Sequence, residues 1–153
     1  MKISILGDSL STYTGYNPED YAVYYQEPML WKNGMESVND TWWMQVITAL
    51  GRELCMKASY PGADIVCGTL IKTCLEGDEE WKFPSCFGGF EFDEYNRLIR
   101  ACCRKKGCRL AELREQDIRY ETHDGSHPTK KGHRQIAELW LNVLSDGRSV
   151  RTF

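Results

Sequence analysis

The sequence predicts an α/β layer fold, built as one domain over residues 1–153. Short β-branched and apolar runs that read as strands alternate along the chain with segments whose apolar residues recur at helical spacing. No internal repeat and no low-complexity linker interrupts this alternation, so a single core is the simplest organisation.

Residues 2–6 form a short apolar run ending at Gly7, a buried strand. Residues 12–39 keep no sustained period and carry Tyr13, Tyr16, Tyr21, Tyr24, Tyr25 and Trp31. An irregular segment this long usually has a functional reason. Asp40 is placed to cap a helix whose apolar face is Trp43, Val46, Ile47 and Leu50, with Gly51 as its stop. Residues 54–58 and 65–71 are further strand candidates. Residues 76–92 form a second irregular stretch, with Trp81, Phe83, Phe87, Phe90 and Phe92. Asp93 then caps a helix with Tyr95, Leu98, Ile99 and Cys102 on one face, Gly107 closes it, and a short strand follows around 108–111. The last helix begins near Thr129, after Pro128, and its stripe of Ile136, Leu139, Trp140, Val143 and Leu144 has the spacing of a core-facing helix.

Composition narrows the function classes. The formal net charge is -3, and no basic tract or stripe is present, which argues against nucleic acid and anionic membrane surfaces as partners. Arg104, Lys105 and Lys106 close a predicted helix, where they complement its dipole. No apolar run approaches the ~20 residues of a membrane span. Residues 1–6 are too short for a signal-peptide core, and the seven cysteines (55, 67, 74, 86, 102, 103 and 108) lack framework spacing. The expectation is a cytoplasmic protein with reduced thiols. A zinc site from Cys102, Cys103, Cys108 and the three histidines is a weaker alternative, since no C-x-x-C pair occurs.

Two short motifs carry the chemistry. Gly7-Asp8-Ser9-Leu10-Ser11 follows the first strand directly. A strand end turning into a helix start exposes a serine hydroxyl beside backbone N–H groups that lack internal partners. Alone, the same residues serve equally as a turn or helix cap. Asp124-Gly125-Ser126-His127-Pro128-Thr129 is the second motif, followed by Gly132 and His133. An Asp and a His three apart on a loop bounded by Gly and Pro can share one site. The carboxylate then holds one imidazole nitrogen and leaves the other to take a hydroxyl proton. A capped turn ahead of a helix is the plainer use of that segment.

Together the two motifs resemble the first and last sequence blocks of the SGNH (GDSL-type) hydrolases, in the same order and near the two ends of the chain. The likeness runs from residue 1 to about 62 and again from about 64 to 145. It implies a flavodoxin-like three-layer fold with a mostly parallel sheet. It also implies a serine ester hydrolase with Ser9 as nucleophile, His127 as general base and acid, and Asp124 as its orienting partner. By the same resemblance the oxyanion hole takes the N–H of Ser9 and of Gly62, although Pro61-Gly62 suits a type II turn equally well. No cofactor is implied. The substrate class is a short acyl ester such as an acetyl ester, on a small molecule or a carbohydrate. The aromatic residues of 12–31 and 81–92 are candidates for its walls, or for pins that hold those loops to the core.

The family's Gly-x-Asn-Asp block has no counterpart, and Asn39-Asp40 reads as a helix cap instead. Strands at 54–58 and 65–71 could not be parallel neighbours, because residues 59–64 are too few for a crossover. An internal strand–helix section is therefore missing near 59–64. Either the junction is a tight antiparallel turn, or one of the two segments lies outside the main sheet. An uncovered sheet edge would invite a second copy of the chain. The alternative to a working esterase is a catalytically impaired remnant that binds a ligand or persists as a folded domain.

Overall fold

Strand β1 (Lys2–Ile3) is followed by a 3-10 turn at Ser9–Ser11, helix α1 (Met29–Lys32) and helix α2 (Trp42–Ala49). Then come β2 (Glu53–Leu54), β3 (Val66–Gly68), β4 (Lys72–Thr73), β5 (Cys86–Phe87), β6 (Phe90–Glu91) and helix α3 (Phe92–Lys106). Strands β7 (Arg109–Ala111) and β8 (Arg119–Tyr120), helix α4 (Lys130–Ser145) and β9 (Val150–Arg151) complete the chain order. This is a computed structural model, and it describes residues 2–5, 7, 9–18, 20–55, 65–75, 86–87, 89–116, 118–145 and 150–151.

Strands and helices alternate as an α/β chain should. β1 runs parallel to β2, β3 to β7 and β4 to β8. Each of these pairs is joined by a long crossover that contains a helix, as parallel pairing demands. The antiparallel contacts are the β5–β6 hairpin and the pairing of β9 on β7. Among the described residues β2 and β3 lie in separate sheets. That agrees with the shortness of residues 59–64, which themselves lie outside the described residues.

Several sequence-based expectations need correction. The cap of α2 is Thr41, whose side chain accepts from the Met44 N–H; Asp40 instead accepts from the backbone N–H of Glu36 and Ser37. Asp40 is thus spent one turn earlier, closing a capping box with Ser37. Helix α3 is capped by Glu91 in a capping box with Glu94, ahead of Asp93, which pairs with Arg114. The buried side of α3 is Asn96 and Cys103, whereas Leu98 is 55% exposed and Cys102 is exposed. The stripe is displaced because Asn96 is called inward by a polar partner: its Oδ1 accepts from the Leu70 N–H. The strand expected over 65–71 is confined to Val66–Gly68, with Lys72–Thr73 pairing elsewhere. Gly107 does close α3 in the left-handed region, at φ 68°.

Two clusters form the core. Tyr13, Tyr25, Met35, Trp43 and Ile47 make one, and Ala111, Leu113, Leu139 and Val143 make the other. Helix α4 buries Ile136, Leu139 and Val143, as its periodicity predicted. His133, fully buried on the same helix, accepts the Trp42 N–H on Nδ1 at 3.2 Å. That N–H belongs to the first turn of α2 and has no partner within its own helix. One imidazole therefore ties α4 to the start of α2.

Candidate active site

The loop that carries Asp124 and His127 is closed on itself. Thr122 and Pro128 form an isolated antiparallel bridge, and the His123 N–H donates to the His127 carbonyl at 3.0 Å. Gly125 turns the chain at φ 91°, where a side chain would be strained, and donates its N–H to Thr122 Oγ1 at 3.0 Å. Behind the loop, Gly132 lets the start of α4 press against residue 121; a Cβ there would collide with the Glu121 carbonyl oxygen. Tyr120 donates its hydroxyl to the Ser126 carbonyl, and Tyr25, fully buried, donates its own to the Pro128 carbonyl, each at 2.9 Å.

On this frame Asp124 is saturated with donors. Oδ1 accepts the N–H groups of Ser126 at 3.1 Å and His127 at 2.8 Å. Oδ2 faces His127 Nδ1 at 2.8 Å and accepts the Tyr24 hydroxyl at 3.1 Å. Partial burial pushes the carboxyl upward, but the backbone and imidazole of His127 and the N–H of Ser126 outweigh it and hold the group at about 2. An ionised carboxylate only accepts, so Nδ1 carries the proton and Nε2 is left as an acceptor. Ser9 Oγ lies 3.0 Å from that Nε2. The predicted Ser9, His127 and Asp124 are thus brought together, although the hydroxyl and the imidazole are 118 positions apart in the sequence.

Ser9 opens a three-residue 3-10 turn beyond β1, where the motif reading expected a helix start. Thr12 fixes that turn: its Oγ1 donates to the Ser9 carbonyl at 2.9 Å and accepts the Tyr24 N–H at 2.9 Å. Tyr24 is the residue that motif reading missed. Its ring lies flat on the His127 imidazole, with centroids 3.5 Å apart and planes 6° apart. The only signal for it in the sequence was its membership of the aromatic segment 12–31. Of the other aromatics there, Tyr13 and Tyr25 are buried pins, while Tyr21 and Trp31 are exposed at 68% and 69%. Burial raises the Tyr24 phenol above its ordinary value, and the Asp124 charge adds to the rise, so it remains a donor.

Gly62, the second expected oxyanion donor, lies outside the described residues. Trp81 and Phe83 of the other aromatic segment do too. Cys55, Cys67, Cys74, Cys102, Cys103 and Cys108 are free thiols, and burial, with the Cys67 thiol beside it, pushes Cys103 up to about 11. Among the described residues no three of His, Cys, Asp and Glu gather as a metal-binding group. No helix among them is long and apolar enough to cross a membrane.

No curated protein and no solved structure matches the chain. Residues 1–73 match the family model described as GDSL-like Lipase/Acylhydrolase. The match takes in the Ser9 turn and Tyr24, while Asp124 and His127 lie beyond it. The Gly7-Asp8-Ser9 motif lies inside the matched segment, so the likeness to GDSL-like lipases/acylhydrolases rests on residues 1–73.

Proposed function

We propose that this chain is a serine ester hydrolase that cleaves short acyl esters, acetyl esters of small molecules or carbohydrates included, in the cytoplasm and without a cofactor. The single observation that supports it most is the continuous chain Ser9 Oγ–Nε2 His127 Nδ1–Oδ2 Asp124, at 3.0 and 2.8 Å. Ser9 Oγ attacks the ester carbonyl carbon while its proton passes to His127 Nε2. The tetrahedral intermediate then collapses, the C–O bond to the alcohol breaks, and the alcohol leaves with the proton from Nε2. Water gives a proton to the same nitrogen, attacks the acyl-enzyme and releases the acid, restoring the Ser9 hydroxyl. Asp124 stabilises the imidazolium at each passage and remains ionised. Tyr24 acts as a positioning residue, holding the ring flat and taking one lone pair of Asp124 Oδ2.

The N–H of Ser9 and that of Gly62 are the donors assigned to the oxyanion. Without the asparagine of the missing Gly-x-Asn-Asp block, turnover falls by roughly 10²–10³ relative to a complete hole. A flavodoxin-like three-layer arrangement with its central section deleted accounts for both the surviving triad and this deficit. Hydrolysis of p-nitrophenyl acetate tests the reading: the rate above buffer disappears in Ser9→Ala. An equal rate in the wild-type chain and Ser9→Ala overturns it and leaves the impaired-remnant alternative.

A further inference from the structure

Among the described residues, the two halves of the Ser9–His127–Asp124 chain are carried by different sheets. Strand β1, which leads to Ser9, pairs with β2, whereas β8, which leads to the Asp124–His127 loop, pairs with β4. No ladder shared by β1 and β8 therefore sets the 3.0 Å between Ser9 Oγ and His127 Nε2. Helices α2 and α4 hold the two parts together through the hydrogen bond from the Trp42 N–H to His133 and the stacking of Trp42 on Trp140. Those contacts decide how the layers pack. The fine position of the serine against the imidazole needs a nearer link.

That link runs through residues 12–14 and 24–25. Thr12 is half-buried, and its hydroxyl is used twice: Oγ1 donates to the Ser9 carbonyl and accepts the Tyr24 N–H, both at 2.9 Å. Two residues on, the Thr14 N–H donates to the Tyr25 carbonyl at 3.1 Å, so both tyrosines are pinned to the segment that follows the nucleophile. The tyrosines in turn grip the acid–base loop. Tyr24 lies flat on His127 and donates to Asp124 Oδ2, and Tyr25 donates to the Pro128 carbonyl. The Tyr24 N–H is taken by the Thr12 side chain rather than by a backbone carbonyl, so the residue at position 12 decides whether the circuit closes. Its own N–H reaches the Ser9 carbonyl at the longer 3.3 Å.

We infer that Thr12 is a positioning residue for the reaction: its hydroxyl sets the nucleophile turn against Tyr24 and, through the Tyr24 ring, against His127. This role rests on the serine ester hydrolase reading and adds to it a group that acts through Tyr24 rather than on the ester. A hydroxyl is required because one atom must donate toward Ser9 and accept from Tyr24. Serine supplies both functions, and valine, of nearly the same shape, supplies neither. Reacting geometry tolerates little error, and a displacement of about 1 Å can cost roughly 10²-fold in turnover.

The test is kcat and KM for p-nitrophenyl acetate in the full chain and in Thr12→Val, Thr12→Ser, Tyr24→Leu and the Thr12→Val/Tyr24→Leu pair, each corrected for its folded fraction from urea unfolding. Thr12→Val lowers kcat by about tenfold with KM within about twofold, and Thr12→Ser stays within about threefold of the wild-type chain. Thr12→Ala, which adds no bulk, carries the same expectation as Thr12→Val. In the Tyr24→Leu background, Thr12→Val costs less than about twofold, because the ring through which the hydroxyl acts is gone. Losses that add in the double variant, an equal loss in Thr12→Ser, or a loss accounted for by the unfolded fraction overturns the role. The two readings fail separately. Ser9-dependent hydrolysis that is indifferent to Thr12→Val sinks the Thr12 role alone. A wild-type rate no higher than that of Ser9→Ala sinks the esterase reading and the role with it.

Discussion

His127 and His133 stand close together in the sequence, yet their surroundings are opposites. His127 sits on the loop with both ring nitrogens engaged, one by Asp124 and one by Ser9. His133 lies in the interior between α4 and α2, with Nδ1 accepting the Trp42 N–H and the Tyr25 ring 4.8 Å away. Its Nε2 is buried without a hydrogen-bond partner among the described residues. Burial drives the His133 imidazolium down to about 3. One imidazole bridges a carboxylate and a hydroxyl at a partly exposed site, and the other is held neutral as a structural acceptor. Environment, more than residue type, separates the two.

Substitutions that cut the His127 side of this comparison should have the largest effects. His127→Ala is expected to lower kcat by roughly 10⁶-fold in ester hydrolysis, since nucleophile and base act as a unit. Asp124→Asn keeps the shape but inverts the tautomer preference, and a loss of roughly 10⁴-fold is expected. Stopped-assay kinetics on purified variants measure both. A loss under tenfold for either would place the chemistry elsewhere.

The His133 side should break in stability rather than turnover. His133→Leu leaves the Trp42 N–H buried and unpaired, at a cost of about 1–3 kcal/mol, seen as a lower midpoint in urea. Activity per folded molecule should stay within a few-fold. The pH dependence follows from the depressed value. Between the ordinary 6.5 and about 3, the unfolded chain carries a proton at His133 that the folded chain excludes. That contribution is complete above about 6.5 and declines as pH falls, by up to about 1.4 kcal/mol per unit. Asp124, also depressed, contributes above the ordinary 3.8 and is lost as pH falls toward 2. Urea unfolding between pH 7 and 4.5 should therefore show a falling midpoint for the wild-type chain and a flatter one for His133→Gln. Equal slopes would mean that His133 is not the titrating group.

Tyr24 offers the smallest and most discriminating change. Tyr24→Phe removes one hydrogen bond to Asp124 and should reduce kcat/KM by about two- to fivefold. Tyr24→Leu also removes the stacked ring and should cost about tenfold or more. If the two variants behave alike, the stacking has no part in holding the imidazole.

The comparison also shows what a sequence can carry. The meeting of Ser9, Asp124 and His127 was legible only through the resemblance of the two motifs to a family's first and last blocks, since each motif alone reads equally as a cap or a turn. Helices α2 and α4 were legible from their apolar spacing, which burial of Trp43, Val46, Ile47, Ile136, Leu139 and Val143 matches. Tyr24 was not, because its partners lie about 100 residues away and no spacing rule links them. Helix caps slipped for a related reason: Asp40 and Thr41 are both good caps, and only the Ser37 turn decides which of them serves α2. The buried face of α3 was misread because a polar residue, Asn96, faces inward to meet the Leu70 N–H. His133 had no role assigned in the sequence beyond a share in the zinc alternative, and its burial accounts for its structural one.

Fluorophosphonate labelling with mass-spectrometric mapping tests the central claim most directly, since the reagent reacts only with a hydroxyl activated by a neighbouring base. The account predicts modification at Ser9 in the wild-type chain and in His133→Gln, and none in His127→Ala. Label absent from Ser9, or unchanged when His127 is removed, would contradict it.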